Sequence, residues 1–390
     1  MRAVLASTGT TGDILPVVWL AEGLRRRGHF VTLALPPNYA EIAAFAGIPF
    51  APLGPPVDTS DIRQTVARLQ RKTLRNQLAE VFAGLAYYLP GTYEALTRLC
   101  ATADVLVSSA YQPAGRMVYD ATRIPFATVH LAPTVGPFPE DTRALLAPLI
   151  NRARLRCGLE RLFDPGGADS ASPLLALHAI SRIACSAVTR DPSYQVTGFF
   201  FEARIWPMPP LLRQFSRTGD KPIVCTFGSM VQENLAAVTN TLTEAAHQLS
   251  LRIVIQCPWE PARIPALQSS LGSHALVVGH VPHDMLFRMA RLVIHHGGAG
   301  TTAAALRAGV PSIVVPHILD QPQWAAILRT LGCAPDSIPR QRLTVSELTS
   351  SITHALETPS YQRAARACAE HVASESGVET AVNLIERLVH

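Results

Sequence analysis

A chain of 390 residues is long for one ordinary α/β core and fits two domains of nearly equal size. Charged residues are 16% against 48% hydrophobic, and the net charge is a modest +5, so there is ample material for buried sheets and little drive toward nucleic acid. No run reaches 18 uninterrupted apolar residues and the sequence opens into a strand pattern without a signal peptide, which predicts a soluble, cytoplasmic protein.

In chain order, residues 3–7 form a first predicted strand, followed by the turn Thr8-Gly9-Thr10-Thr11-Gly12-Asp13. A helix with apolar positions Leu15, Val18, Leu20 and Leu24 ends near Gly28, and 30–35 is the second strand, a βαβ unit with a right-handed crossover. A helix over 39–46, a short strand near Phe50, and strands over 104–109 and 126–131 continue the pattern, with a proline- and glycine-rich loop from Pro52 to about Asp61. Arg63, Arg68, Arg71, Lys72 and Arg75 lie on a stretch of helical spacing; it reads as a solvated face, with weak peripheral contact to a membrane or an anionic acceptor as the alternative.

Residues 139–165 read as a helix and its cap, and the small residues after Pro165 as a flexible segment. Periodicity disappears in the proline-rich 206–221, which we read as a linker. Alternation restarts at Ile223 with strands over 223–227, 253–256, 276–278, 292–294 and 311–316, and helices over 235–249 and 284–290 between them. The tail from 345 is nearly all helical, broken at Pro359 and Gly377. The domains are thus 1–205, 222–376 and a C-terminal helix over 377–390. The seven cysteines are scattered without C-x-x-C or Cys/His metal spacing, so neither disulfides nor zinc are expected.

The most informative stretch is RLVIHHGGAGT, residues 291–301, a strand, a glycine-rich turn and a helix start. Turn glycines let backbone approach a ligand, and the unpaired N–H groups of a helix start suit a phosphate. His296 adds a donor there, and Asp320-Gln321 arrive after the next strand at the same sheet edge. Gly298-x-Gly300-x-x-Ala303 with Asp320 also satisfies the loose dinucleotide fingerprint, which by itself supports an NAD-dependent oxidoreductase. Against that, the motif follows several strands of its domain instead of opening it, and a nicotinamide site has no need of His295 and His296.

HHGGAGT, continued by AGVPSIVVP and DQ, resembles the donor-site signature of the family 1 glycosyltransferases of GT-B fold. TTGDILP and PPNYAEIAAFAGIPFAPLG resemble the bacterial branch acting on glycopeptide antibiotics, macrolides, sterols and lipids. The resemblance implies an α/β fold of two Rossmann-like, doubly wound domains facing across a cleft, the first for the acceptor and the second for the nucleotide sugar. It implies that His296, Gly298, Ala299, Gly300 and Thr301 hold the diphosphate, with Ser229 as a second contact. Val281 and His280 match positions that meet the nucleobase, Asp320 and Gln321 the pair that bonds sugar hydroxyls, and Asp13 the catalytic base. Gly12 and His130 fall where the acceptor would lie, and the C-terminal helix would brace the first domain. Several relatives carry arginine where this chain has Thr11, so any help from that arginine is absent.

The activity so implied is an inverting transfer of a deoxysugar from a TDP carrier, or of glucose from UDP, to a hydroxyl of a bulky apolar molecule. No D-x-D triplet for Mg²⁺ or Mn²⁺ occurs, so no metal or other cofactor is expected. Each residue also has a plainer reading. Asp13 could cap a helix beginning at Ile14, Asp320 and Gln321 could cap one before Pro322, and Ser229 could be an ordinary N-cap. His295 reads as structural, because neighbours on a strand point to opposite faces, and Trp259 and Trp324 as packing residues. His280 could be a surface residue and His130 a core histidine. A nucleotide-sugar epimerase and an inactive partner protein remain alternatives beside the oxidoreductase.

Overall fold

A computed structural model describes residues 1–56, 59–133, 138–185, 193–228, 230, 234–258 and 261–390. The chain forms two compact units, one of Met1–Asp58, Lys72–Ala203 and Glu375–His390, the other of Thr59–Arg71 and Arg204–Ser374. Each is a Rossmann-like α/β unit around its own all-parallel sheet.

The first sheet contains β1 (Arg2–Ala6), β2 (Phe30–Leu35), β3 (Phe50–Pro52), β4 (Val105–Ser109), β5 (Phe126–His130), β6 (Leu175–His178) and β7 (Tyr194–Val196). Their order is β3-β2-β1-β4-β5-β6-β7. The strands are continuous apolar runs because helices cover both faces, leaving no solvent side to alternate toward. On one face Leu5, Leu33, Val107, Val129 and Leu177 pack in one cluster with Val17, Leu20 and Leu24 of helix Thr11–Arg26 and with Val382 and Ile385 of helix Gly377–Val389. Those two helices lie so close that a Cβ built on Gly23 would stand 2.4 Å from Val378 Cγ1.

The second sheet contains β8 (Ile223–Thr226), β9 (Ile253–Gln256), β10 (Ala275–Val278), β11 (Leu292–His295) and β12 (Ser312–Val314), in the order β10-β9-β8-β11-β12. The sequence places all five within a residue or two at each end. Three features depart from it. The stretch after Pro165, read as flexible, carries β6, and β7 follows; runs of four and three residues are too short for a period to show, and pairing of β6 to β5 and of β7 to β6 is what makes them strands. Helix Leu74–Cys100, to most of which the sequence pattern assigns no element, runs through Pro90. Helix Pro210–Arg217 lies within the stretch read as linker and buries Leu212.

Chain order reverses between β1 and β4 in the first sheet and between β8 and β11 in the second. At such a point the connections leave in opposite directions and open a crevice beyond the strand carboxyl ends. The turn carrying Asp13 follows β1, and the turn carrying His296 follows β11. Among the described residues no helix is long and apolar enough to cross a membrane. Of the basic stretch, Lys72 pairs with Glu80 at 2.5 Å and Arg75 with Asp141 at 3.7 Å, while the Arg63 side chain lies outside the described residues.

Candidate functional site

In the first unit, helix Thr11–Arg26 begins three residues before the start expected from its apolar period. Asp13 is therefore not its N-cap. Thr10 takes that position and Asp13 stands in the first turn, where its Oδ2 accepts the Thr10 backbone N–H at 2.8 Å and the Thr10 hydroxyl at 3.1 Å. A carboxylate in a first helical turn is also favoured by the helix dipole. Gly9 makes the arrangement possible: its φ of +111° suits glycine, and a Cβ there would sit 2.4 Å from Asp13 Oδ2. Gly12 is exposed on the outer side of the turn.

His130 ends β5, half-buried, and stacks on His178 of β6 with ring centroids 4.7 Å apart. Burial, with His178 nearby, pushes the His130 imidazole down to about 3, and burial takes His178 to about 4. Both are therefore neutral near pH 7. His130 Nε2 and both ring nitrogens of His178 are buried without a hydrogen-bond partner.

In the second unit β11 passes through His296-Gly297-Gly298 into helix Ala299–Ala308. Gly297 has φ +86°, and a Cβ on it would meet the Gln321 carbonyl at 2.9 Å, so the turn closes against the start of the next helix. Gly298 is the N-cap and brings no capping side chain, and Gly300 is exposed. The first N–H groups of the helix, which no helical carbonyl can receive, thus open toward the surface. The His296 ring lies between two glycines: a Cβ on Gly298 would fall 2.3 Å from its Nε2, and one on Gly228 2.7 Å from its Cε1. His296 is 6% exposed and its Nδ1 has no partner. Burial, reinforced by the neighbouring His317, His295 and His283, holds its pKa well below the usual histidine value.

His295 is structural, as its strand position suggests. Its Nδ1 accepts the Gly297 N–H at 3.1 Å, which puts the proton on Nε2, and burial lowers its pKa to about 3. Thr301 is buried in the first turn of the helix and Ala299 half-exposed at its start. Asp320 caps helix Gln321–Thr330 and accepts the indole N–H of fully buried Trp324 at 3.0 Å; burial raises its pKa, opposed by that hydrogen bond. The Gln321 carboxamide oxygen accepts the His317 and Ile318 N–H groups at 2.7 and 3.1 Å, and its nitrogen faces Met230 Sδ at 3.4 Å. In this arrangement Gln321 shapes the loop after β12.

Val281 is buried, and Gln256 fixes its peptide by donating to its carbonyl at 2.6 Å; His280 beside it is exposed. The same Gln256 accepts the Thr226 hydroxyl at 2.8 Å and faces His283 Nε2 at 3.2 Å, tying the ends of β8, β9 and the Val281 loop together. Sequence reasoning did not single out Gln256, His283 or His317. The only available signal was a polar residue closing an apolar strand, as at the end of β9. Ser229 and Trp259 lie outside the described residues. Among the described residues no group of three or more His, Cys, Asp and Glu is placed to hold a metal ion.

Comparison with known proteins places these turns in context. Residues 3–132 match the family described as glycosyltransferase family 28 N-terminal domain, and residues 240–388 that described as erythromycin biosynthesis protein CIII-like, C-terminal domain. The chain is 30% identical over 419 residues to an uncharacterized glycosyltransferase of Mycobacterium tuberculosis, covering 98% of this chain and 97% of that one. It is 28% identical to the O-mycaminosyltylonolide 6-deoxyallosyltransferase of Streptomyces fradiae, over 99% of this chain and 97% of the other. To the sterol 3-beta-glucosyltransferase of Arabidopsis thaliana it is 27% identical over 98% of its own length, but it spans only 64% of that longer protein. Among solved structures, a spinosyn rhamnosyltransferase superposes with a TM-score of 0.78 at 21% identity, covering 99% of this chain and 100% of the other. That enzyme has also been solved with thymidine diphosphate and with the spinosyn aglycone.

Proposed function

Because the chain belongs to the family 1 glycosyltransferases of GT-B fold, we propose that it transfers a sugar from a TDP- or UDP-sugar to a hydroxyl of a bulky apolar acceptor, inverting the anomeric centre and using no metal. The observation that carries this reading is the imidazole of His296, held between Gly228 and Gly298 at a helix start with Nδ1 unpartnered. A diphosphate oxygen brought there meets a ring donor and the N–H groups of a helix start. The relatives and the rhamnosyltransferase solved with thymidine diphosphate favour the same class of donor.

In this reading the first unit handles the acceptor and the second the donor. Asp13 takes the proton of the acceptor hydroxyl as its oxygen attacks the anomeric carbon, and the bond from that carbon to the diphosphate breaks. His296, Gly298, Ala299, Gly300 and Thr301 receive the charge of the departing diphosphate, with Ser229 as a further contact. Asp320 and Gln321 orient the sugar, Val281 and His280 meet the base, and Gly12 and His130 border the acceptor. The reading includes action in the cytoplasm, with a weak peripheral membrane contact as a way to reach a lipid-like acceptor.

The test is transfer by the purified chain. Asp13→Asn should abolish transfer from a TDP- or UDP-sugar while nucleotide affinity stays within a few-fold, and EDTA should leave the wild-type rate unchanged. Full activity of the variant would remove Asp13 from the mechanism. Activity lost in EDTA and restored by Mn²⁺ would reveal a metal requirement.

A further inference from the structure

We propose that Tyr39 is a positioning residue that holds Asp13 in the orientation needed to take a proton from the acceptor. The proposal rests on the assignment of Asp13 as the base. Tyr39 closes the short turn Pro37–Tyr39 after β2 and is only 3% exposed. Its hydroxyl donates to the Gly9 carbonyl at 3.1 Å. Gly9 is the residue against which the Asp13 carboxylate lies, too close for a side chain to intervene, and Thr10 next to it gives that carboxylate two hydrogen bonds. The phenol thus holds the peptide of the segment that presents Asp13.

The sheet anchors Tyr39, which also packs in the core cluster that holds Ile14 and Val17 of helix Thr11–Arg26. β2 pairs with β1 through Leu5↔Leu33 and Ala6↔Ala34, and the Ser7 N–H donates to the Ala34 carbonyl, so the position of β2 relative to the turn is fixed by the sheet. The phenol is a dependable donor. Burial raises its pKa and the nearby Asp13 charge raises it further, outweighing the opposing Thr11 and Asn38 side chains. The Thr11 side chain hydrogen-bonds the same phenol. Without the phenol oxygen, the Gly9 peptide is the element free to reorient, because glycine crosses between φ basins that other residues cannot enter. Misplacement of a reacting group by about 1 Å can cost on the order of 100-fold in rate.

The experiment compares Tyr39→Phe, Asp13→Asn and wild type on two acceptors that the wild-type chain glycosylates, a neutral alcohol and a phenol already ionised at the assay pH. An ionised phenol has no proton to lose, so a defect that acts through the base should vanish on it. Tyr39→Phe is expected to lower kcat on the alcohol about 10- to 100-fold, with donor KM unchanged, and to leave the phenol reaction within about three-fold. Asp13→Asn should show the same pattern more strongly, by roughly 100-fold or more. Equal losses on both acceptors would make Tyr39 merely structural and overturn the proposal, as would an undiminished rate on the alcohol. If Asp13→Asn itself fails to distinguish the acceptors, the assignment of the base falls instead. Thermal unfolding and nucleotide binding check that Tyr39→Phe is folded; if it is not, Thr11→Val weakens the same phenol from its other side and should give a smaller loss confined to the alcohol.

Discussion

Gly298→Ala isolates the part of His296 in binding the donor. Gly298 has φ −67° and ψ 148°, a conformation alanine adopts without strain, so any effect must come from the added methyl. That methyl would lie 2.3 Å from His296 Nε2 and 3.0 Å from Cε1, an overlap of about 1 Å with ordinary contact distances of roughly 3.5 Å. Either the imidazole leaves its place or the helix start moves away, and a diphosphate loses one hydrogen bond to a charged group, worth about 1.5–3 kcal/mol. That corresponds to a rise in Kd for UDP or TDP of about 10- to 150-fold, measured by calorimetry. The decisive comparison is a double-mutant cycle with His296→Ala. With the ring removed there is no clash, so Gly298→Ala should then cost less than about three-fold, well outside simple additivity. If the methyl weakens binding equally in both backgrounds, the helix backbone and not His296 grips the ligand. If it weakens binding in neither, the diphosphate is held elsewhere.

Two further outcomes follow from the fold itself. His178, His295 and His317 are buried with pKa values pushed down to about 4, 3 and 4, whereas an unfolded chain titrates near 6.5. Below pH 6.5 the unfolded state binds protons the folded state refuses, so stability is full above about pH 7 and falls as the solution is acidified. From pH 7.5 to 5.5 each such residue costs about 1.3 kcal/mol, and with His130 and His283, likewise pushed down to about 3 and 4, the five together cost roughly 6.5 kcal/mol, which denaturant titrations at the two pH values would measure and a flat profile would contradict. Gly23→Ala forces a methyl to within 2.4 Å of Val378 Cγ1 between two packed helices. It should lower stability by about 1–3 kcal/mol while leaving UDP or TDP affinity unchanged, and a melting temperature equal to wild type would show that the helices separate freely.

How much of this was legible in the sequence depends on the kind of feature. The second sheet was, because its strands are apolar runs separated by helices of ordinary length, and in HHGGAGT Gly297 and Gly298 stand where a side chain would strike a neighbour, though Gly300 has open space around it. β6 and β7 were not, since LALH and YQV carry no period and become strands only through pairing, β6 with β5 and β7 with β6. Individual roles were less legible than positions. The residue type at Gln321 does not reveal that its carboxamide oxygen bonds the loop at His317 and Ile318. At Asp13 the sequence offered a cap or a base as alternatives. The structure has the carboxylate bonding back to Thr10 from within the first turn, a geometry set by where the helix starts, which apolar spacing locates only to within a turn.

The buried histidines beneath the glycine turn impose a cost that the fold must carry. His296 Nδ1, His295 Nε2 and the Thr302 hydroxyl are buried without partners, and each such group is worth about 1–3 kcal/mol of lost solvation. They are not replaceable by apolar residues without loss of what the turn provides. Protonated histidines there would repel one another, and the neighbouring imidazoles are among the causes that keep His296 neutral. Neutrality in turn lets His296 sit against two glycines in the apolar interior until an anion arrives. A diphosphate held as proposed would reverse the balance, favouring the protonated ring and giving its nitrogen an acceptor in a poorly solvated place, where the charge counts for more. Glycine at 228, 297 and 298 follows from this arrangement: the His296 ring, Val314 and the Gln321 carbonyl already fill the space a side chain would need.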